Sequence, residues 1–393
     1  MTVVAPHKTG LGGAGYAMIY NHKEQSSPII IDFANNTIKE NGIRVPAVLL
    51  ALEYMQNLKG KLSWSEVVQP SITLAKEGFV VSKEFASEVS KNITYEILYG
   101  HLNAGDLLEL HDLANTLDTV AQHGTNVLYN GTLSNALLYK EIKTTGGLKE
   151  LANYKPKIYK ANKSTFYEHA VYYPPHMSAV QQMILALENQ RISPENASTV
   201  ETQIRVAQAL MNSVSVSLQM KQNIEEERYT GVMAMDWEDT YICIITGLST
   251  PLGLKYMTSA GFLLDKVDNF NDLSALTPII FHSEKALCGL RGVFGTDDVF
   301  LIGQILYNVV VRNLNVSTAI EYPRYYFQSD GLALENDQKH AVDALIRDQL
   351  NLILPAANIN SNSLSKSVNA IVKRKDLMSS HSDSRGGGLA SRF

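Results

Sequence analysis

Two cysteines in 393 residues leave no material for a disulfide framework or a four-thiolate zinc site. Cys243 and Cys288 lie far apart in the chain, each in an apolar, strand-like context, which predicts two buried free thiols. No uninterrupted apolar run approaches the ~20 residues that a membrane-spanning helix needs. An excess of positive charge is also missing: 34 Lys and Arg stand against 39 Asp and Glu, a net charge of -5. Proteins that track nucleic-acid phosphates carry the opposite sign. No Lys/Arg cluster suggests a membrane surface either. There is no internal repeat, and only the Ser- and Asn-rich tail from about Asn358 to Ser384 has a loop-like composition.

The length suffices for one large domain or two. Two β-rich runs, Ala14 to Tyr20 and Pro28 to Phe33, flank a polar connection and predict a hairpin. Gly42-Ile-Arg-Val-Pro46 introduces an amphipathic helix over 47–58. Ser63 and Glu66 fit a capping box, and the helix they start should kink or break at Pro70 and end at Gly78. Ser82 is placed to cap the next helix. Residues 83–153 read as helices and loops, with Gly146-Gly147 ahead of the last. Phe166 to Tyr173 reads as one strand, followed by a Pro-Pro turn and a helix over 180–187. Helical patterns fill 198–223 and 299–313.

The most informative stretch is Tyr229-Thr230-Gly231-Val232-Met233-Ala234-Met235-Asp236, a Trp237-Glu238-Asp239 turn, a strand over 241–246, and an apolar run from Ala260 to Leu264. This resembles the start of the small subunit of the gamma-glutamyltransferases, a family of N-terminal-nucleophile hydrolases whose strand opens on Thr-Thr-His-x-Ser-Val-Val-Asp. Other blocks agree in order. Leu62 to Phe79 is similar along its whole length. Pro174-Pro-His-Met-Ser matches a Pro-Pro-Pro-Ser-Ser turn, and Glu321-Tyr-Pro-Arg324 an Asp-Ala-Pro-Arg block. Asp383-Ser-Arg385 matches the closing Asp-Pro-Arg. The resemblance implies an α+β fold, a four-layer αββα sandwich built from two halves, 1–228 and 229–393. The opening segment, Met1 to Gly15, resembles one that in the family follows an anchor and a first pair of helices, so the chain reads as truncated at its front. No signal or transmembrane segment is legible. Six Asn-x-Ser/Thr sequons, at Asn35, Asn92, Asn130, Asn162, Asn196 and Asn315, lean with the family towards the secretory pathway or the extracellular space.

The site residues that the resemblance implies are mostly substituted. In the family a Thr freed by self-cleavage supplies hydroxyl nucleophile and amine base together. Aligned through Asp236 without a gap, that position is Tyr229, whose phenol cannot perform the self-cleavage. Moving the nucleophile to Thr230 requires a one-residue slip, which turns every strand side chain to the other face. The oxyanion-hole Gly-Gly becomes Gly295-Thr296, followed by Asp297 and Asp298, which explain themselves as a helix cap. The Arg that pairs with the substrate carboxylate becomes Ala34, which cannot replace a charge-assisted fork. The family's Asn becomes Ser249, a Gln position becomes Lys266, and the amine-binding carboxylate becomes Asn269 beside a retained Asp268. The two paired serines become Ser274 and Ala275. His176, Arg324 and Asp383 read as structural. The expectation is a catalytically degenerate, unprocessed homologue that acts by binding glutathione, gamma-glutamyl peptides or an active paralogue, without cofactor, metal or nucleic acid. The rival expectation is an active glutathione hydrolase or transferase using Thr230.

Overall fold

The computed structural model describes residues 1–34, 42–137, 145–213, 229–266, 276–328, 331–335 and 367–392. The chain divides into two compact units. One comprises Met1–Tyr16, Ile31–Ile158 and Thr246–Leu273; the other comprises Ala17–Ile30, Tyr159–Ile245 and Ser274–Phe393.

The first unit is mainly helical, with α1 (Val48–Lys59), α2 (Trp64–Glu77), α3 (Lys83–Ser90), α4 (Ile93–Tyr99), α5 (His111–His123), α6 (Val127–Asn130) and α7 (Thr145–Ala152). The capping box at α2 forms as expected: Ser63 Oγ accepts the Glu66 N–H and the Glu66 carboxylate accepts the Ser63 N–H at 2.8 Å. Gly78 closes the helix at φ 94°. Pro70 does not break it. The ring sits on the exposed face, where the Glu66 carbonyl it deprives of a donor can meet water. Ser82 caps α3 by accepting the Phe85 N–H at 3.1 Å. The Gly146-Gly147 pair lies inside α7 instead of ahead of it. Val68, Ile72 and Ala75 of α2 join Leu113, Leu117 and Val120 of α5 in one core. Into the same core comes the run from Ala260 to Leu264, which takes part in isolated bridges, Met257 to Leu263 and Gly12 to Leu264. The approach at Gly12 is so close that a Cβ there would lie 2.0 Å from the Leu263 carbonyl oxygen. This accounts for the Gly-rich entry to the first strand.

Fifteen strands occur among the described residues: β1 (Ala14–Asn21), β2 (Ile29–Asp32), β3 (Phe79–Val80), β4 (Leu107–Leu108), β5 (Lys157–Lys160), β6 (Asn162–Phe166), β7 (His169–Tyr173), β8 (Tyr229–Met235), β9 (Thr240–Gly247), β10 (Thr277–Ser283), β11 (Arg291–Thr296), β12 (Tyr325–Gln328), β13 (Gly331–Leu334), β14 (Asn369–Arg374) and β15 (Leu377–Ser382). One sheet has the order β5-β2-β1-β9-β8, with the predicted β1 and β2 side by side, and the other has β15-β14-β11-β10-β7-β6. In the second unit these two sheets face each other. Tyr20 of the first, which also meets Tyr241 of its own sheet, lies against Tyr172 and His282 of the second and is stacked on His282 at 5.7 Å. Helix α8 (Ser178–Glu188) packs with α9 (Val200–Ser213), with α10 (Val299–Leu306) and with β6, α10 also packs with β11, and α11 (Val316–Glu321) lies near β14 and β15.

Several expectations change here. The single strand over 166–173 is a hairpin, β6 and β7, turned at Tyr167 and Glu168, both at positive φ. Neither is a residue that signals such a turn. The helix after Asp298 is α-helical only to Leu306 and then widens into a π segment, Tyr307–Val311. The loop-like tail contains a hairpin of two six-residue strands, β14 and β15. Cys243 is buried, but Cys288 is exposed in the β10–β11 turn, where its neighbours' apolar pattern suggested a strand.

Candidate functional site

Two groups of sequence-predicted positions can be followed, one in each unit. In the second unit Tyr229 is the first residue of β8 and Thr230 the next. Strict alternation puts Thr230 on the same face as Val232 and Ala234, both exposed. The Gly231 carbonyl on this strand accepts from Asn369 Nδ2 of β14 at 3.1 Å.

Gly295 and Thr296 are the last two positions of β11, opposite Pro278 and Thr277 of β10. A Cβ at Gly295 would lie 2.4 Å from Ile245 Cδ1 and 3.0 Å from Cys243 Sγ, so sheet packing alone requires this glycine. Thr296 Oγ1 accepts the Asp298 N–H at 3.2 Å, and Asp298 Oδ1 accepts the Phe300 N–H at 2.8 Å. The turn is therefore committed to capping α10, as expected from the two aspartates. Asp297 and Asp298 are both buried.

In the first unit Ala34 and Ser249 are drawn into one buried network by two residues that sequence reasoning missed, Arg44 and Asp265. Arg44 Nη1 donates to the Ala34 carbonyl at 2.5 Å, while the Ala34 N–H donates to Asp32 Oδ1 at 2.9 Å. Arg44 Nε lies 3.0 Å from Asp265 Oδ2, with both side chains at most 4% exposed. The Ser249 N–H is 3.1 Å from each Asp265 oxygen, and Ser249 Oγ is 2.6 Å from Oδ1. Burial pushes the Asp265 carboxyl above the ordinary carboxylate range, against the pull of Arg44 and Ser249. The loop carrying Ser249 is tied at both ends to the N-terminal segment: the Leu248 N–H donates to the Lys8 carbonyl and the Leu252 N–H to the His7 carbonyl. Lys266 is exposed. Asp268, Asn269, Ser274 and Ala275 lie outside the described residues.

Comparison with known proteins places this architecture. Residues 1–189 match the gamma-glutamyltranspeptidase family. Rat glutathione hydrolase 7 is 22% identical over 436 residues, covering 85% of this chain. The chain is thus similar to the gamma-glutamyltranspeptidases over its first 189 residues. It spans 66% of the length of that rat relative and 46% of the centipede Scolopendra dehaani's scoloptoxin SSD14, which is 25% identical over 270 residues, 59% of this chain. Among solved structures, cephalosporin acylase from Bacillus halodurans superposes over 100% of this chain and 89% of its own with a TM-score of 0.77 at 15% identity. The fold is accordingly an α+β sandwich like that of this acylase.

Within that family reading, His176 is exposed, and Arg324 and Asp383 form a buried ion pair with each other. Both outcomes agree with structural roles. No signal in the sequence marked Arg44: it stands beside a Val-Pro turn, ten residues from the position where a guanidinium was sought. Among the described residues there is no cluster of His, Cys, Asp and Glu that could hold a metal, and no helix long and apolar enough to cross a membrane.

Proposed function

We propose that this chain is a gamma-glutamyltransferase-like protein without transferase activity, an unprocessed single chain whose halves, 1–228 and 229–393, stay covalently joined. Its role is binding, either of glutathione-like gamma-glutamyl peptides with low affinity or of an active paralogue. The observation that carries this reading is the state of the anchor around Ala34. A methyl group stands where a guanidinium should meet the substrate carboxylate. The guanidinium that does reach Ala34, that of Arg44, already faces the protein's own Asp265. Binding energy that a transferase needs to orient its substrate is thus spent inside the protein. The exposed face of Thr230 and the commitment of Thr296 and Asp298 to a helix cap support the same conclusion.

The extracellular or secretory setting is part of the proposal. The five described sequon asparagines, Asn92, Asn130, Asn162, Asn196 and Asn315, are all exposed, as glycan acceptors must be.

Intact mass and N-terminal sequencing of the purified protein test the reading. A single uncut chain that releases no chromophore from a gamma-glutamyl anilide is expected, with Thr230→Ala indistinguishable from the parent. A fragment beginning at Thr230, together with anilide turnover that Thr230→Ala abolishes, would establish the active transferase instead.

A further inference from the structure

We propose that His22 and His282 form an acid-operated latch, which fastens the β10–β11 turn to the first sheet at neutral pH and releases it when the two imidazoles charge. The latch does not depend on whether the chain turns over substrate.

The geometry defines the neutral, closed state. His22 directly follows β1 of the first sheet and is 2% exposed; His282 lies in β10 of the second and is 7% exposed. Their ring centroids are 5.1 Å apart. His22 Nε2 is 2.7 Å from the carbonyl of Leu287, in the β10–β11 turn. A carbonyl only accepts, so Nε2 carries the hydrogen and the neutral ring offers Nδ1 as an acceptor. Two donors meet that acceptor, the Tyr20 hydroxyl at 3.3 Å and the Gln25 amide nitrogen at 3.4 Å. The same amide nitrogen donates to the His22 carbonyl, so turning the amide over would set its oxygen against another oxygen. His282 repeats the pattern: Nδ1 donates to the Ser283 carbonyl at 3.1 Å, and Nε2 accepts from the Tyr172 hydroxyl at 3.4 Å.

Charging the pair undoes this arrangement. A proton on His22 Nδ1 points at the Gln25 N–H donor, and two like charges then stand side by side out of water. The charged groups facing His22 are Arg291, Lys373 and Asp239, with the rings of Tyr20 and Tyr241. Those facing His282 are Lys163 and Glu284, with the rings of Tyr20 and Tyr172. Both carboxylates are already engaged. Asp239 takes Arg291 Nη2 at 3.1 Å and Lys373 Nζ at 2.6 Å, and Glu284 takes Lys163 Nζ at 2.5 Å. Burial above all holds both imidazoles below the ordinary histidine range, against the pull of the Leu287 and Ser283 carbonyls. A folded-state pKa below the unfolded one means that the latch is fully closed above ~6.5 and weakens as pH falls below that value.

The opening is local, because a second tie at the same end survives. Asp239 stands in the β8–β9 turn and Arg291 in β11, so their ion pair also joins the two sheets. Burial opposes the charge of Asp239, but hydrogen bonds from Lys373 and Arg291 outweigh it and hold this carboxyl below the ordinary range. It stays ionised where the histidines are protonated. The strand side of the turn is closed by the Ser283 N–H on the Leu290 carbonyl. Acid therefore loosens the β1–β2 and β10–β11 turns and leaves the strands paired. The secretory setting proposed above supplies the mildly acidic range in which histidine clusters act as switches.

Hydrogen–deuterium exchange of the full chain, read by mass spectrometry at about pH 7.5 and about pH 5.5 and corrected for intrinsic rates, tests the latch. The hydrogen-bonded amides of His22, Glu24 and Gln25 and of Glu284, Lys285 and Gly289 report on the two turns. Peptides covering 22–27 and 284–289 should lose at least ~10-fold in protection at the lower pH and regain it on return to neutral. Peptides covering β9 and β14 should keep theirs. His22→Gln retains a donor for the Leu287 carbonyl but cannot charge, and should make protection of both turns independent of pH. His282→Phe removes the second charge and should shrink the acid loss. Unchanged protection of the wild-type turns would overturn the latch whether or not either variant folds. An equal loss in β9 and β14 would overturn it as well, since that is acid unfolding of the whole unit. So would an undiminished pH dependence in His22→Gln.

Discussion

Replacing Asp383 by Ala should be among the most damaging single changes in the second unit. The Asp383 side chain is fully buried and its Oδ2 takes both Arg324 Nη2 and the Val368 N–H. Its Oδ1 takes the Arg385 backbone N–H and Nη1, both at 3.1 Å. Val368 precedes β14 and Asp383 follows β15, so one carboxylate closes the base of the C-terminal hairpin and fixes it to Arg324. Truncation leaves a guanidinium only 2% exposed without its counter-charge. Breaking a buried pair from one side costs ~3–5 kcal/mol, because the remaining charge is neither solvated nor compensated. The Ile320 carbonyl, 3.0 Å from Arg324 Nη2, recovers a little of this. Urea unfolding followed by circular dichroism measures the loss. The control is Glu88→Ala, which removes the partner of the exposed Lys91 and should cost at most ~1 kcal/mol. Replacing both charges, Arg324→Met with Asp383→Leu, should recover much of the stability lost in the single variant. If Asp383→Ala costs no more than Glu88→Ala, the hairpin is not held in the way described.

Further outcomes follow from other parts of the fold. His7 is stacked on Phe85 at 4.9 Å with neither ring nitrogen hydrogen-bonded, and burial, then the charge of Lys8, lower its pKa to about 3. The unfolded chain therefore binds a proton that the folded chain refuses. Stability is unaffected above the ordinary histidine value of ~6.5 and falls as pH drops below it, by ~2.7 kcal/mol two units lower. His7→Leu should flatten this acid-side loss in thermal melts; an unchanged pH profile would show that His7 is accessible to solvent. Gly295→Ala forces a Cβ against Ile245 and Cys243 and should cost ~1–3 kcal/mol by overpacking. Adding Ile245→Val should return part of that, and a neutral Gly295→Ala would show that the two sheets can yield there.

Local rules legible in the sequence set much of the helical unit and the strand pairs. The Ser63–Glu66 box, the Ser82 cap, the Asp298 cap and the neighbouring β1 and β2 all depend on residues close in the chain, so composition and spacing suffice to predict them. Side-chain chemistry also travels with the letter: Ala34 cannot be a cation wherever it sits. Local reading failed where distant partners decide. The β14–β15 hairpin hides in a polar composition because β11 supplies its pairing, and Pro70 stays helical because its orphaned carbonyl faces outward. Gly295 looked like a remnant of catalysis until Cys243 and Ile245, some fifty residues earlier, were found to leave it no room. Arg44 and Asp265 carry the same lesson most sharply. More than two hundred residues separate them, and neither matches a motif. Their pairing exists only because folding removes both from water, where two opposite charges would otherwise remain apart and solvated.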